Sequence, residues 1–141
     1  MSAIIVPASL LRDIESHCEA GYPEEVVGVM IGRETGSDRV VTELIRLENM
    51  RVENRQRRYT VDPLQLAKIE RDTAARNLLV LGFYHSHPDH PAEPSPTDLE
   101  WAWPFYSYII QSVQQRSAAV KRSWRLADDE KSFWEEEIRE S

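Results

Sequence analysis

Residues 78–88 read Leu78-Leu79-Val80-Leu81-Gly82-Phe83-Tyr84-His85-Ser86-His87-Pro88. The apolar run over residues 78–84 predicts a buried strand, and alternate residues of a strand point to the same side. His85 and His87 should therefore face one way, roughly 6.5–7 Å apart along the chain, while Ser86 faces the other. Two imidazoles so placed can tilt onto a common ion at zinc–nitrogen distances of about 2.0–2.1 Å. The stretch predicts a strand that ends at Pro88 and presents two metal ligands.

A third ligand is expected nearby, because a catalytic zinc site takes three protein ligands and leaves one position open for water. Asp98 is the natural candidate. A proline-punctuated loop, residues 89–94, leads to Ser95-Pro96, which predicts a helix start with Ser95 at the N-cap. A carboxylate in the first turn suits the positive end of the helix dipole. Ser95 and Asp98 alone fit a capping arrangement, and the two histidines are what favour a ligand role for Asp98.

The H-S-H-P string at residues 85–88, followed by the S-x-x-D pattern at residues 95–98, resembles the signature of the JAMM (MPN+) metalloproteases. The similarity extends along nearly the whole chain and is greatest to small, free-standing prokaryotic members. The family pattern also has an upstream glutamate in the form E-x-x-G, which residues 25–28 match. The resemblance implies zinc as the cofactor and assigns five residues: the zinc ligands His85, His87 and Asp98, the general acid/base Glu25, and the oxyanion donor Ser95.

The chemistry of such a site is peptide or isopeptide hydrolysis. Zinc lowers the pKa of bound water to about 7, a nearby carboxylate can pass a proton to the leaving amine, and a hydroxyl can support the developing oxyanion. The residues alone do not decide which side chain supplies this carboxylate. A Glu-Glu pair ahead of an apolar strand is more often a solvated strand entry, and Glu24 would serve as well as Glu25.

Length and composition predict a single domain over residues 1–141, with 41% hydrophobic and 29% charged residues. No apolar run approaches 18 residues and no signal peptide is evident, so we expect no membrane span and a cytoplasmic location. The single cysteine, Cys18, rules out an internal disulfide and is expected to be a buried thiol. The net charge of −7 argues against nucleic acid as a partner.

The order of elements predicts an α/β (α+β) fold with a single mixed, mostly antiparallel sheet flanked by helices, which the resemblance describes as cytidine-deaminase-like. Helices are predicted over about residues 8–20, 62–74 and 95–103. Strands are predicted near residues 26–31, 40–47, 57–61, 78–84, 106–113 and 119–126. The acidic, aromatic tail at residues 128–138 is left open between strand and helix.

Several residues outside the motif have two interpretations. Arg51, Arg55, Arg57 and Arg58 form a basic cluster, which is more often solvated surface than a device for steering an acidic substrate. Trp101 and Trp103 are expected in core packing or edge covering, with a place for Trp101 near the substrate as the alternative. His90 is expected on the loop surface.

The substrate is inferred from the resemblance. The strand at Tyr106 follows Asp98 within eight residues, which leaves little room for the insertions by which family members recognise ubiquitin chains. Small prokaryotic members are associated with ubiquitin-like sulfur-carrier proteins, so the resemblance implies cleavage after a diglycine tail. Such a tail suits a narrow groove and could add to an exposed strand. A zinc hydrolase of small peptides or amides and a non-catalytic scaffold are the alternatives.

Overall fold

The computed structural model describes residues 2–55 and 59–141. It contains three helices and seven strands, and the predicted mixed α+β class with a mixed sheet is confirmed for these residues. In chain order they are β1 (Ala3–Val6), α1 (Ala8–Gly21), β2 (Val27–Thr35), β3 (Asp38–Leu47), α2 (Pro63–Ala75), β4 (Leu79–Pro88), α3 (Pro96–Trp101), β5 (Ser107–Gln114), β6 (Ser117–Leu126) and β7 (Phe133–Glu140).

The sheet closes on itself, which the sequence analysis did not predict. The spatial order is β1-β3-β2-β4-β5-β6-β7, and β7 returns to pair in parallel with β1. The open sheet implied by the predicted fold was therefore wrong. The reason lies in the two termini: the short apolar segment that contains Ile4 forms β1, and the acidic tail forms β7, which pairs Ile138 with Ile4. The strand β1 was not predicted, and the sequence leaves the tail that forms β7 open between strand and helix.

Helices cover both faces of the sheet, as predicted. On one face α1 packs Leu11, Ile14 and Cys18 into a buried cluster with β1, β3, β4 and β5. On the other face α2 packs Ile69 against β2 and β4. Cys18 is buried, as expected, and burial raises the pKa of its thiol to about 12. In the described part of the chain, no helix is long and apolar enough to cross a membrane.

The other predicted elements lie within a few residues of the observed ones, with one exception. Of the strand predicted at residues 57–61, Arg57 and Arg58 lie outside the described residues, and residues 59–61 belong to no strand.

A glycine lets β2 pair closely with β4. Gly28 stands opposite Tyr84 in the antiparallel register, and a Cβ at Gly28 would lie 2.1 Å from the Tyr84 ring. Any larger residue would therefore clash with the Tyr84 ring and displace it. Gly28 is the glycine of the E-x-x-G pattern, and it allows Val27 to pair with His85.

The closed sheet encloses a buried charged network between β3, β6 and β7. The carboxylate of Glu136 accepts hydrogen bonds from Ser107 at 2.8 Å and Ser123 at 3.0 Å. Arg125 approaches the same carboxylate at 3.4 Å. Arg39, with a side chain only 2% exposed, donates to the Leu81 carbonyl at 3.0 Å. Glu136 thus supplies the negative charge that offsets two buried or half-buried guanidinium groups.

Replacing Glu136→Gln should lower the free energy of unfolding by about 3–5 kcal/mol, because the partly buried Arg125 loses its ion-pair partner and the buried Arg39 loses a nearby negative charge. Urea denaturation followed by circular dichroism measures this. Glu135→Gln is the matched control, since Glu135 is exposed and its pair with Arg122 at 3.2 Å lies at the surface. Glu135→Gln should lower the free energy of unfolding by less than about 1 kcal/mol. Equal effects of the two substitutions would show that β7 is not held by the buried network.

Candidate metal centre and active site

The end of β4 presents two imidazoles to one side. The Nε2 atoms of His85 and His87 lie 3.3 Å apart, and the two residues are 1% and 6% exposed. Between them, the Ser86 hydroxyl accepts a hydrogen bond from the Val26 N–H at 2.9 Å. The predicted alternation is confirmed, and so is the end of the strand at Pro88.

Asp98 reaches both histidines from the first turn of α3. Its Oδ1 lies 3.3 Å from His85 Nε2, and its Oδ2 lies 3.1 Å from His87 Nε2. The same residue completes a capping box, because Ser95 Oγ accepts from the Asp98 N–H at 3.1 Å and Asp98 Oδ2 accepts from the Ser95 N–H at 2.9 Å. The capping interpretation is therefore also right: the cap fixes the carboxylate where it meets the histidines.

The loop between β4 and α3 is anchored by backbone carbonyls. The Ser112 hydroxyl donates to the His90 carbonyl at 2.6 Å, and the Trp124 indole donates to the Ala92 carbonyl at 3.0 Å. These contacts hold the loop against β5 and β6, so that α3 starts at a defined distance from the histidines. The His90 side chain is exposed, as predicted.

The donor set fits a small divalent cation. Ligands in a tetrahedral shell at about 2.0–2.1 Å from one ion lie about 3.3 Å from each other, and the three contacts among His85, His87 and Asp98 measure 3.1–3.3 Å. Their ligand atoms form a group that could hold a metal ion. His87 Nδ1 lies 2.9 Å from the Pro91 carbonyl, so its proton belongs on Nδ1 and leaves the Nε2 lone pair directed at the group.

The two ligand types stabilise each other's charge. Burial opposes the ionised form of Asp98, but the adjacent His85, the close contacts of both imidazoles with the carboxylate and the hydrogen bond from the Ser95 N–H hold its pKa well below the usual range. Burial likewise opposes protonation of His85, and the Asp98 carboxylate outweighs it and raises the pKa of that imidazole. The arrangement therefore favours a positive charge between these side chains.

Glu25 enters the site from the start of β2. The Ser86 N–H donates to the Val26 carbonyl at 3.1 Å, which sets Glu25 across from His87. Glu25 is 6% exposed, and it lines the cavities beside the histidines. Burial raises its pKa to about 7, although the nearby His85 and His87 act in the opposite direction. A carboxyl group with that pKa can both accept and release a proton near neutral pH.

The structure distinguishes Glu25 from Glu24, which the sequence left open. Glu24 is exposed and lies 3.7 Å from the Arg55 guanidinium. Arg55 in turn donates to the carbonyls of Arg51 and Asn49. The described part of the basic cluster therefore stabilises its own loop, while Arg57 and Arg58 lie outside the described residues.

Aromatic residues around the site were placed incorrectly or missed. Trp101 and Trp103 are 70% and 67% exposed, so neither packs in the core, and the alternative that put Trp101 near the site agrees with the structure. They line a cavity of about 840 Å³ that also contains Glu25, His85 and Asp98. Tyr59, which the sequence analysis did not single out, has its ring 5.0 Å from the His85 ring. No local pattern marks a tyrosine in a loop as a neighbour of a distant histidine.

Comparison with known proteins matches this geometry to a family. The family model described as prokaryotic homologs of the JAB domain matches residues 7–127. The chain belongs to this JAB family. It is 35% identical to a probable TtuB-protein conjugate cleaving protease of Thermus thermophilus over 79% of this chain and 73% of that protein. It is also 35% identical to a desampylase of Haloferax volcanii, over 84% and 86% of the two chains.

A solved relative shows the same JAB-type fold. A solution structure of a protein from Desulfitobacterium hafniense superimposes with a TM-score of 0.83 at 28% identity, covering 98% of this chain and 92% of the other. The resemblance to the JAMM metalloproteases is thus confirmed, and so is the prediction of a hydrolase of that type, because the named relatives are peptidases.

If His85, His87 and Asp98 share one ion, His87→Ala should abolish tight binding of a divalent metal, because two ligands remain of three. With Zn²⁺ as the probe, the unaltered protein should retain about one ion per chain after dialysis and the variant almost none. Elemental analysis measures both. His90→Ala, which removes the exposed loop histidine, should keep the metal. Retention of stoichiometric zinc by His87→Ala would remove His87 from the ligand set.

Proposed function

We propose that this chain is a zinc-dependent peptidase or isopeptidase that cleaves after the diglycine tail of a ubiquitin-like sulfur-carrier protein. The observation that supports this most strongly is the convergence of His85, His87 and Asp98, with Glu25 buried in the same cavity. Two imidazoles and one carboxylate are the donor set of catalytic zinc sites. We further propose that residues 1–141 act as one domain in the cytoplasm.

His85, His87 and Asp98 would hold the ion. When bound, zinc supplies a Lewis acid for the scissile carbonyl and makes water nucleophilic at neutral pH. Two of the three side chains are already oriented for this role, because the His87 Nδ1 proton is directed to Pro91 and the Asp98 carboxylate is fixed by the cap of α3. Such second contacts keep ligands in place without the metal.

Glu25 is proposed to carry the proton. Hydrolysis of an amide requires a base that takes a proton from the attacking water and an acid that gives it to the leaving amine. One carboxyl group can do both if its pKa lies near the working pH, and burial raises the pKa of Glu25 to about 7. Asp98, whose pKa is held far lower, stays ionised and is unsuited to this work.

Ser95 is proposed to stabilise the oxyanion. Its hydroxyl oxygen already accepts a hydrogen bond from the Asp98 N–H at 3.1 Å. A serine hydroxyl has one donor as well as two acceptor sites, so the O–H remains available to a developing negative charge. Ser95 also lines a cavity of about 380 Å³ together with Glu25 and His87, which supports the proposal that these residues act on one substrate group.

The substrate class is supported by the relatives and by the short connection after the site. One relative is named for cleaving TtuB-protein conjugates and another is a desampylase. Between the end of α3 at Trp101 and the start of β5 at Ser107, the chain has no room for an added recognition domain. A compact, folded carrier with an extended tail fits such an open site better than a ubiquitin chain does.

Glu25→Gln should reduce hydrolysis by about 10²–10⁴-fold while zinc stays bound, because the amide keeps the shape of the side chain but accepts no proton. Steady-state turnover and zinc content are measured on the same preparation. Glu24→Gln is the matched control and should leave turnover within about 2-fold, as expected for an exposed surface residue. Near-normal turnover of Glu25→Gln would assign the proton to another group.

The proposed substrate is tested with a small ubiquitin-like carrier protein extended beyond Gly-Gly. We expect cleavage after the diglycine, loss of activity with a chelator and no digestion of casein. Replacing the penultimate glycine of the carrier by valine should reduce cleavage by more than about 100-fold, because a β-branched side chain keeps the backbone from approaching the site. This effect is larger than the loss of one methylene contact would give. Equal cleavage of both tails, or efficient digestion of casein, would leave a broad peptidase instead.

A further inference from the structure

The cavity beside the metal centre is wider than the narrow groove that the sequence analysis predicted. It encloses about 840 Å³ and runs from Glu25, His85 and Asp98 to a wall of aromatic side chains. That wall includes Tyr59, Phe83, Trp101, Trp103, Phe105 and Tyr108. A diglycine segment has no side chains, so two glycines alone leave most of this aromatic surface without a contact. A substrate that fills the cavity must bring a large apolar group.

Three of these aromatic residues form the outer edge of the cavity, and we call Trp101, Trp103 and Phe105 the aromatic rim. Their exposed fractions are 70%, 67% and 43%. Large apolar side chains exposed next to one another in a soluble protein usually mark a binding surface. The aromatic rim follows Asp98 by only three to seven residues, so whatever binds there lies close to the reacting bond.

The aromatic rim is held in place before any substrate arrives. The backbone N–H of Trp103 donates to the Tyr108 hydroxyl at 2.8 Å. Phe105 adopts a φ of 84°, a left-handed conformation that a phenylalanine rarely takes. The guanidinium of Arg39 lies 4.3 Å from the centre of the Phe105 ring and supports it from the interior. Strained backbone that the surrounding structure enforces is concentrated at functional sites, and here it presents an aromatic ring at the cavity edge.

A second, smaller cavity meets the first at Glu25. It encloses about 380 Å³ and has a polar wall that includes Asn54, His90 and Glu93. Hydrolysis converts the leaving amine into a cation once it takes up a proton, and a polar wall with a carboxylate suits that product. The acyl side of the substrate, which contains the diglycine, would then bind in the larger, aromatic cavity.

We propose that the aromatic rim binds a large apolar side chain that precedes the diglycine in the tail of the carrier protein. The inference rests on the proposed function, and it names a specificity determinant of the same site. Trp101 and Trp103 supply flat apolar surface at little cost in conformational entropy, and Phe105 closes the edge. The chain should therefore select its partner by the residues ahead of Gly-Gly as well as by the glycines.

The test uses two peptide amides that end in Gly-Gly, carry the same fluorescent amine and differ only in the residue before the diglycine, Phe or Ser. The zinc-loaded, full-length protein should show a kcat/KM about 10–100-fold higher for the Phe peptide. Trp103→Ala and Trp101→Ala should each reduce that ratio to within about 3-fold of one, through loss of the Phe peptide. Trp134→Ala is the matched control, since Trp134 is partly exposed and lies outside the cavity wall. It should keep the ratio.

The outcomes distinguish the proposed role of the aromatic rim from the proposed function. Equal kcat/KM values for the two peptides in the unaltered protein, or a ratio that both tryptophan variants preserve, would overturn the role of the aromatic rim. Cleavage of the Ser peptide tests the proposed function by itself, and absence of cleavage of every diglycine substrate would reject that function. Thermal melts of each variant check that the fold is retained.

Discussion

Two hydrogen bonds between Val26 and Ser86 hold the start of β2 against the end of β4. The Ser86 N–H donates to the Val26 carbonyl at 3.1 Å, and the Val26 N–H donates to the Ser86 hydroxyl at 2.9 Å. Directly paired residues of adjacent strands point to the same side, so this register brings Glu25 to the face that carries the histidines. Gly28 makes the pairing possible by leaving space for the Tyr84 ring. The acid and the metal ligands come from strands far apart in sequence, and this pairing joins them.

The environments of two carboxyl groups in the site drive their pKa values apart. Burial is the largest influence on Glu25 and raises its pKa to about 7, although the nearby His85 and His87 act in the opposite direction. Asp98 is surrounded by imidazoles and the backbone N–H of Ser95, which hold its pKa well below the usual range. Two neighbouring carboxyl groups therefore differ in acidity within the same fold, as the proposed roles of a proton carrier and an anionic ligand require. A bound cation would add to the charge that already stabilises Asp98.

The local parts of this site could be predicted from the sequence. The spacing of His85 and His87 on a strand and the Ser95 cap of α3 depend only on near neighbours, and both are as expected. The predictions that were wrong or incomplete concern contacts between residues far apart in the sequence. Closure of the sheet requires the tail to meet β1, and the solvent exposure of Trp101 depends on how α3 lies against the rest of the fold. The choice of Glu25 over Glu24 is likewise made by strand pairing, which a Glu-Glu pair in a sequence does not reveal.

The ligand set is the central claim, and anomalous diffraction at the zinc edge tests it most directly. Crystals of the zinc-loaded protein should show one strong anomalous peak within bonding distance of His85 Nε2, His87 Nε2 and an Asp98 oxygen, at about 2.0–2.2 Å. The Glu25 carboxylate should lie beside the ion without replacing any of these ligands. A peak at another position, or one with Glu25 in place of Asp98, would contradict the account.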